Sequence, residues 1–268
     1  MSILTSLIKD IFSGKTEAEK TEARRLSPSA NETSFALDQS AGFQNQCRKI
    51  QTGDGFLHRY FLNNSHKTLH KWVHYFDIYE RHLARFRGMS PVMIEIGVFG
   101  GGSLAMWKEY FGPGSRIIGI DINPECKAHE GDGIEVFIGS QDDPAVIDAI
   151  FSKYPKADIV LDDGSHFMRH MIASFELMYD RVQSNGVYMV EDTHTCYWEE
   201  YGGGIGREGN FMEFVKHKLD EINAVHSRDA LPVSEFTRST DCIACYDSIV
   251  VFERRRQGVR QAPMTGSM

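Results

Sequence analysis

The chain is short of several things, and each shortage excludes a class of protein. No stretch of 18 or more apolar residues occurs, so no membrane-spanning helix is expected. There is no basic surplus: 29 Lys and Arg stand against 37 Asp and Glu, a formal net charge of −8, which argues against nucleic acid as a partner. Only five cysteines are present, Cys47, Cys126, Cys196, Cys242 and Cys245. An odd number without a regular framework suits a reduced, cytoplasmic protein. Proline is scarce, with eight in 268 residues, while glycine reaches 24. Tight turns and close backbone approaches are therefore expected rather than disorder throughout. The opening MSILTSLIKDIFSG is amphipathic but has neither a basic n-region nor a cleavage site, so it reads as a short surface helix, not a signal peptide or membrane anchor.

Composition then divides the chain. Residues 1–54 read as an arm, partly disordered or ordered by a partner, because 14–53 are poor in large apolar side chains. Residues 55–90 read as a helical cap. Leu69, Trp72, Val73, Phe76, Tyr79, Leu83 and Phe86 recur at three- and four-residue spacing, which predicts a helix from 69 to 86, closed by Gly88 and Pro91. Residues 91–256 form the core, and 257–268 a tail. Within the core, strand-like runs at 92–98, 116–122, 134–139, 157–164 and 186–193 alternate with helical stretches at 104–111, 144–154, 170–182 and 212–225. A last hairpin follows over 242–255. Such alternation implies an α/β fold with a mainly parallel sheet covered on both faces.

In open α/β sheets ligands bind beyond the carboxyl ends of the strands. After the first strand stands Glu95-Ile-Gly97-Val-Phe-Gly100-Gly101-Gly102-Ser103. It is neither G-x-G-x-x-G nor a P-loop, so a pyrophosphate cradle is disfavoured, and the acid before the turn suits a ligand with a cationic amino group. Asp121 ends the second strand at the spacing of a ribose-binding acid. Ser140 and Gln141 follow the third strand, where an adenine edge would lie; Asp142 and Asp143 before Pro144 read equally as a helix cap. Asp162 and Asp163 follow the fourth strand, and Glu191 and Asp192 the fifth. Carboxylates crowded at two such ends repel unless a cation joins them, and an all-oxygen set suits Mg²⁺. His166, three residues past Asp163, is placed to act as a base. His170 reads as packing or support, since HFMRH lacks the Glu of H-E-x-x-H. Cys242-Ile-Ala-Cys245 has no second pair to make a zinc site, and Arg254-Arg255-Arg256 reads as a solvated basic end.

Taken together, EIGVFGGGS, GIDINP, HKWVHYFDIYERHLARFRG, LDDGSHFMRH, VYMVEDTHTCYW and YDSIVVFER resemble the class I S-adenosylmethionine-dependent methyltransferases over about residues 55–256. Within that class they are similar to the metal-dependent macrolide-sugar O-methyltransferases of mycinamicin VI and demethylmacrocin type. Cephalosporin hydroxylase-like proteins are more distant. The resemblance implies a Rossmann-like sandwich with a mainly parallel seven-stranded sheet, an antiparallel last strand and an N-terminal helical extension. It implies S-adenosylmethionine near Glu95, Gly97, Gly101, Ser103, Asp121, Ser140, Gln141 and Asp162. It implies Mg²⁺ on Asp163, Glu191 and Asp192, and His166 as general base with Asp163 in the catalytic group. The acceptor would be a small-molecule glycoside or sugar near His194, Tyr197 and Trp198, and the assembly a homo-oligomer. The sequence departs from the family in having GSQDD where Gly-Asp-Gln is common, and in being too short for the family's additional N-terminal domain, so a macrolide acceptor is not implied. Two other readings stay open: a metal-dependent hydroxylase-like protein on the same fold, and a non-catalytic S-adenosylmethionine-binding module.

Overall fold

The computed structural model describes residues 55–266; the arm expected over 1–54, with its opening helix and Cys47, lies outside them. Among the described residues, strands β1 (Val92–Ile96), β2 (Arg116–Asp121), β3 (Ile134–Ile138), β4 (Ala157–Asp162), β5 (Val182–Val190), β6 (Thr240–Tyr246) and β7 (Ile249–Arg254) make one sheet in the order β3-β2-β1-β4-β5-β7-β6. The first five are parallel, and β7 enters antiparallel between β5 and β6. The expected Rossmann-like sandwich is therefore present: β6 runs in the direction of β1–β5, and the last strand of the chain, β7, is the antiparallel one. Strand order reverses between β1 and β4, whose ends meet at Ile96 and Asp162. A crevice opens at such a reversal, beyond the carboxyl ends.

The helices are α1 (Phe56–Asn63), α2 (Tyr75–Leu83), α3 (Gly102–Phe111), α4 (Pro144–Lys153), α5 (Met168–Met178), α6 (Phe211–Ile222) and the short α7 (Glu235–Ser239). They cover both faces of the sheet, which is why β1 and β4 are nearly continuous apolar runs rather than alternating ones. One side packs Leu57, Phe76, Tyr79, Leu83, Met106 and Trp107 on Met93, Ile117 and Leu161. The other packs Ile147, Met171, Phe175 and Phe211 on Ile94, Val160, Tyr188 and Phe252. Asp143 caps α4 by accepting from the Ala145 amide, with Pro144 in the first turn, so the cap reading of this acid holds.

Two expectations need correction. The helix expected from 69 begins only at Tyr75 and ends at Leu83, followed by a 3-10 turn to Phe86. Residues 64–74 are instead a strap: the Thr68 carbonyl accepts from the Gly102 amide at 3.1 Å, so this segment lies against the glycine turn. Arg254 is not solvated. It is buried, its Nη1 donating to the Tyr179 and Val182 carbonyls, while Arg255 and Arg256 are the exposed members of the run. Carbonyls at the start of β5 offered no sequence signal for that contact.

Candidate functional site

The carboxyl ends of β1, β4 and β5 converge on a group of acids. Asp163 directly follows β4, and its amide donates to the Ile96 carbonyl at 3.0 Å. Its own carbonyl comes so close to Gly97 that a Cβ there would stand 2.1 Å away, and Gly97 has φ +91°. Only glycine fits. His166 (φ 60°) and Asp192 (φ 53°) are non-glycine residues in the left-handed region. Backbone strain of this kind gathers where side chains must be aimed.

Asp163, His166 and Asp192 each present a ligand atom within 4.8 Å of the others. His166 Nε2 lies 3.9 Å from Asp163 Oδ1 and 3.6 Å from Asp192 Oδ2. Each carboxylate is pinned through its other oxygen. The Lys71 ammonium is 2.5 Å from Asp163 Oδ2, and the Tyr75 hydroxyl donates to Asp192 Oδ1 at 2.7 Å. The two fixed carboxylates are the oxygen donors that suit a hard divalent ion, with the imidazole beside them. Glu191, expected in the same set, is turned aside: it is buried, with Tyr79 donating to Oε1 at 2.5 Å and Lys71 to Oε2 at 3.0 Å. Burial and the neighbouring Asp163 push its pKa well above the ordinary glutamate value, against the pull of Lys71. Burial would lower the pKa of Lys71, but Asp163, Glu191 and Glu95 outweigh it and raise it well above the usual lysine value.

The residues expected at a cofactor divide into two groups. Gly101 (φ 69°) and Ser103 form the turn into α3, as expected. Asp121 braces that turn, Oδ2 accepting from the Val98 and Phe99 amides and Oδ1 from Asn123. Glu95, by contrast, is wholly buried. It accepts from Ser103 Oγ at 2.8 Å and Trp107 Nε1 at 3.2 Å, with Lys71 3.6 Å away. Gln141 also faces inward: its Nε2 donates to Asp162 Oδ1 at 3.0 Å and to Ser174 Oγ at 2.8 Å, and its Oε1 accepts from Ser165. Ser140 donates to Asp142. His170 supports the same loops, with Nδ1 2.7 Å from Ser165 Oγ and Nε2 3.4 Å from Asp142.

Burial pushes Asp162 from 3.8 up to about 7, against hydrogen bonds from Gly164 and Gln141. The folded value lies above the unfolded one. Its stabilising contribution is therefore complete below the ordinary carboxyl value and is lost as pH rises to about 7, a change on the order of 4 kcal/mol at most. Melting temperature should fall across that window, and Asp162→Asn should flatten the slope in thermal scans at stepped pH. An unchanged slope would assign it to other groups.

Beside the acids lies an aromatic wall. Trp72 and Trp198 both meet the His194 ring edge-on, with centroids 6.0 and 4.8 Å away, and His194 Nδ1 is 2.6 Å from Ser248 Oγ. Trp72, Tyr197 and Trp198 are 40%, 55% and 41% exposed. Phe99 and Ile122, beyond the ends of β1 and β2, are likewise exposed apolar side chains. Sequence reasoning did not reach Lys71 and Tyr75 as site residues. Tyr79 was legible as part of one helix face, but apolar periodicity conceals a hydroxyl at the tip of a buried ring.

No protein-family model matches the chain. By sequence it is 32% identical over 197 residues to the 8-demethyl-8-alpha-L-rhamnosyl tetracenomycin-C 2'-O-methyltransferase of Streptomyces olivaceus, covering 69% of this chain and 52% of that protein. It is 38% identical over 162 residues to the mycinamicin VI 2''-O-methyltransferase of Micromonospora griseorubida, covering 56% of this chain and 40% of that one. The chain thus spans about half the length, or less, of these curated relatives. By structure it resembles the MycE methyltransferase of the mycinamycin pathway, solved in complex with Mg, SAH and mycinamycin VI. The TM-score is 0.64 at 31% identity, over 74% of this chain and 52% of the other.

Proposed function

We propose that this chain, a homologue of natural-product sugar O-methyltransferases with the class I S-adenosylmethionine-dependent methyltransferase fold, methylates a hydroxyl of a sugar-bearing small molecule. The observation that carries the reading is the convergence of Asp163, His166 and Asp192 at the strand-order reversal. Asp163 and Asp192 would hold a divalent ion, Mg²⁺ by the donor chemistry, with Glu191 behind them. Such an ion supplies Lewis-acid stabilisation to an oxygen losing its proton, and S-adenosylmethionine supplies the methyl group.

The chain's own residues do the rest. His166 Nε2 faces both carboxylates and is placed to take the acceptor's proton. Asp163 and Asp192 place negative charge beside that imidazole. The glycine turn at 97–102, braced by Asp121, lets the strap and Asp163 close in on its backbone, and Phe99 and Ile122 offer apolar faces beside it. Trp72, Trp198 and Tyr197 offer flat apolar surface next to His194, suited to the C–H faces of a sugar ring, and they help exclude water from the reacting oxygen. Glu95 supports the turn from below through Ser103 rather than facing a ligand directly.

The test combines binding and turnover. Calorimetry should show S-adenosylmethionine binding one to one. Mass spectrometry should show a one-methyl gain on a rhamnosyl glycoside, abolished by chelator and restored by Mg²⁺. Absence of S-adenosylmethionine binding would sink the reading. Full turnover in chelator would remove the metal from it.

A further inference from the structure

The strap places one cation among acids that the sheet alone would leave uncompensated. Lys71 is buried, its side chain 2% exposed, and its Nζ lies 2.5 Å from Asp163, 3.0 Å from Glu191 and 3.6 Å from Glu95. Among the described residues, no other lysine or arginine lies within ion-pair distance of these three carboxylates, and Glu95 and Glu191 are 0% and 1% exposed. Charges removed from water persist only when paired and hydrogen-bonded. Here the other lone pairs are met: Ser103 and Trp107 donate to Glu95, and Tyr79 to Glu191.

The contact with Asp163 is also directional. Lys71 takes Oδ2, while Oδ1 faces His166. The ammonium thus stands behind the carboxylate, away from the point where Asp163, His166 and Asp192 converge.

We propose that Lys71 is a positioning residue, an internal counter-ion that holds Asp163, Glu191 and Glu95 in their working places whether or not a divalent ion is bound. This rests on the reading of Asp163 and Asp192 as metal ligands, and it deepens that reading: the site is assembled in advance of its ion. Where clustered carboxylates depend on the ion alone for compensation, metal binding contributes to folding stability and chelation lowers it. In this chain the coupling should be weak, and it should become strong when Lys71 loses its charge.

The experiment is thermal melting of the full chain, wild type, Lys71→Met and the double variant Lys71→Met/Glu191→Gln, each in chelator and in saturating Mn²⁺. In chelator, Lys71→Met should melt about 5–15 °C below wild type, as expected for a buried ion pair stripped of one partner. The double variant should recover most of that loss, because the neutral amide introduced by Glu191→Gln no longer needs the ammonium and can still accept from Tyr79. Mn²⁺ should raise the melting temperature of Lys71→Met more than that of wild type. A Lys71→Met melt within about 2 °C of wild type in chelator overturns the proposal. So does a double variant no more stable than the single one, or failure of both to fold, since the loss would then lie in packing of the methylene chain. If Lys71→Met fails to fold and the double variant folds, the proposal is supported. The chelator comparison needs no metal: if Mn²⁺ shifts none of the three proteins, it is the metal reading that fails, separately from Lys71.

Discussion

His166→Ala should lower the rate of methyl transfer about 10²–10⁴-fold, the range expected for loss of a positioned base. Affinity for S-adenosylhomocysteine should stay within a factor of about two, because nothing ties His166 to the glycine turn; the imidazole's charge partners are Asp163 and Asp192. The decisive accompaniment is Mn²⁺ affinity. His166 Nε2 belongs to the same three-residue convergence as the two aspartates. A base can be deleted with the ion still bound, whereas a ligand cannot. Retained Mn²⁺ binding with slow turnover fixes the imidazole as the base. Joint loss of both assigns it to the metal, and unchanged turnover removes it from the chemistry.

Gly97→Ala should be the most damaging glycine-to-alanine change among the described residues. The added Cβ would stand 2.1 Å from the Asp163 carbonyl oxygen, and the backbone at φ +91° is itself hostile to a side chain. Overlap with backbone cannot be relieved by a rotamer change. Strain and repacking together cost on the order of 3–6 kcal/mol, or a fall in melting temperature on the order of 10–20 °C. Since the neighbour is the backbone of Asp163, whatever survives should also bind Mn²⁺ poorly. A stable Gly97→Ala protein with normal metal affinity would contradict the geometry. Gly112, also at positive φ but with nothing within 4 Å of its would-be Cβ, is the control: alanine there carries the strain without the collision.

Much of this site could be read from the chain alone, and the reasons for the remainder are physical. Acids at the ends of two apolar runs must gather when those runs become neighbouring parallel strands, so Asp163 and Asp192 were legible once the β/α alternation was seen. Gly97 was legible as a turn, though not as the residue that admits Asp163. Position along or just beyond a strand does not say which donors an acid will meet. Glu191 turns toward Lys71 and Tyr79, and Glu95 toward Ser103 and Trp107, because donors from other elements wait there. Lys71 itself was invisible, since a lysine in an amphipathic stretch is ordinarily a solvated charge. The early start assigned to α2 has the same origin: Leu69, Trp72 and Val73 keep helical spacing, yet tertiary contacts of Thr68 and Lys71 hold them as a strap.

The strap carries a consequence for how this chain can diverge. Lys71 and Trp72 are consecutive, the first buried among acids and the second 40% exposed on the aromatic wall. Connecting segments ordinarily tolerate insertions and deletions. Here, loss of one residue between 64 and 70 would draw the indole toward three carboxylates and swing the ammonium out into water. The length of this stretch is therefore as constrained as any strand register, because one residue fewer would exchange a buried cation for a half-exposed ring.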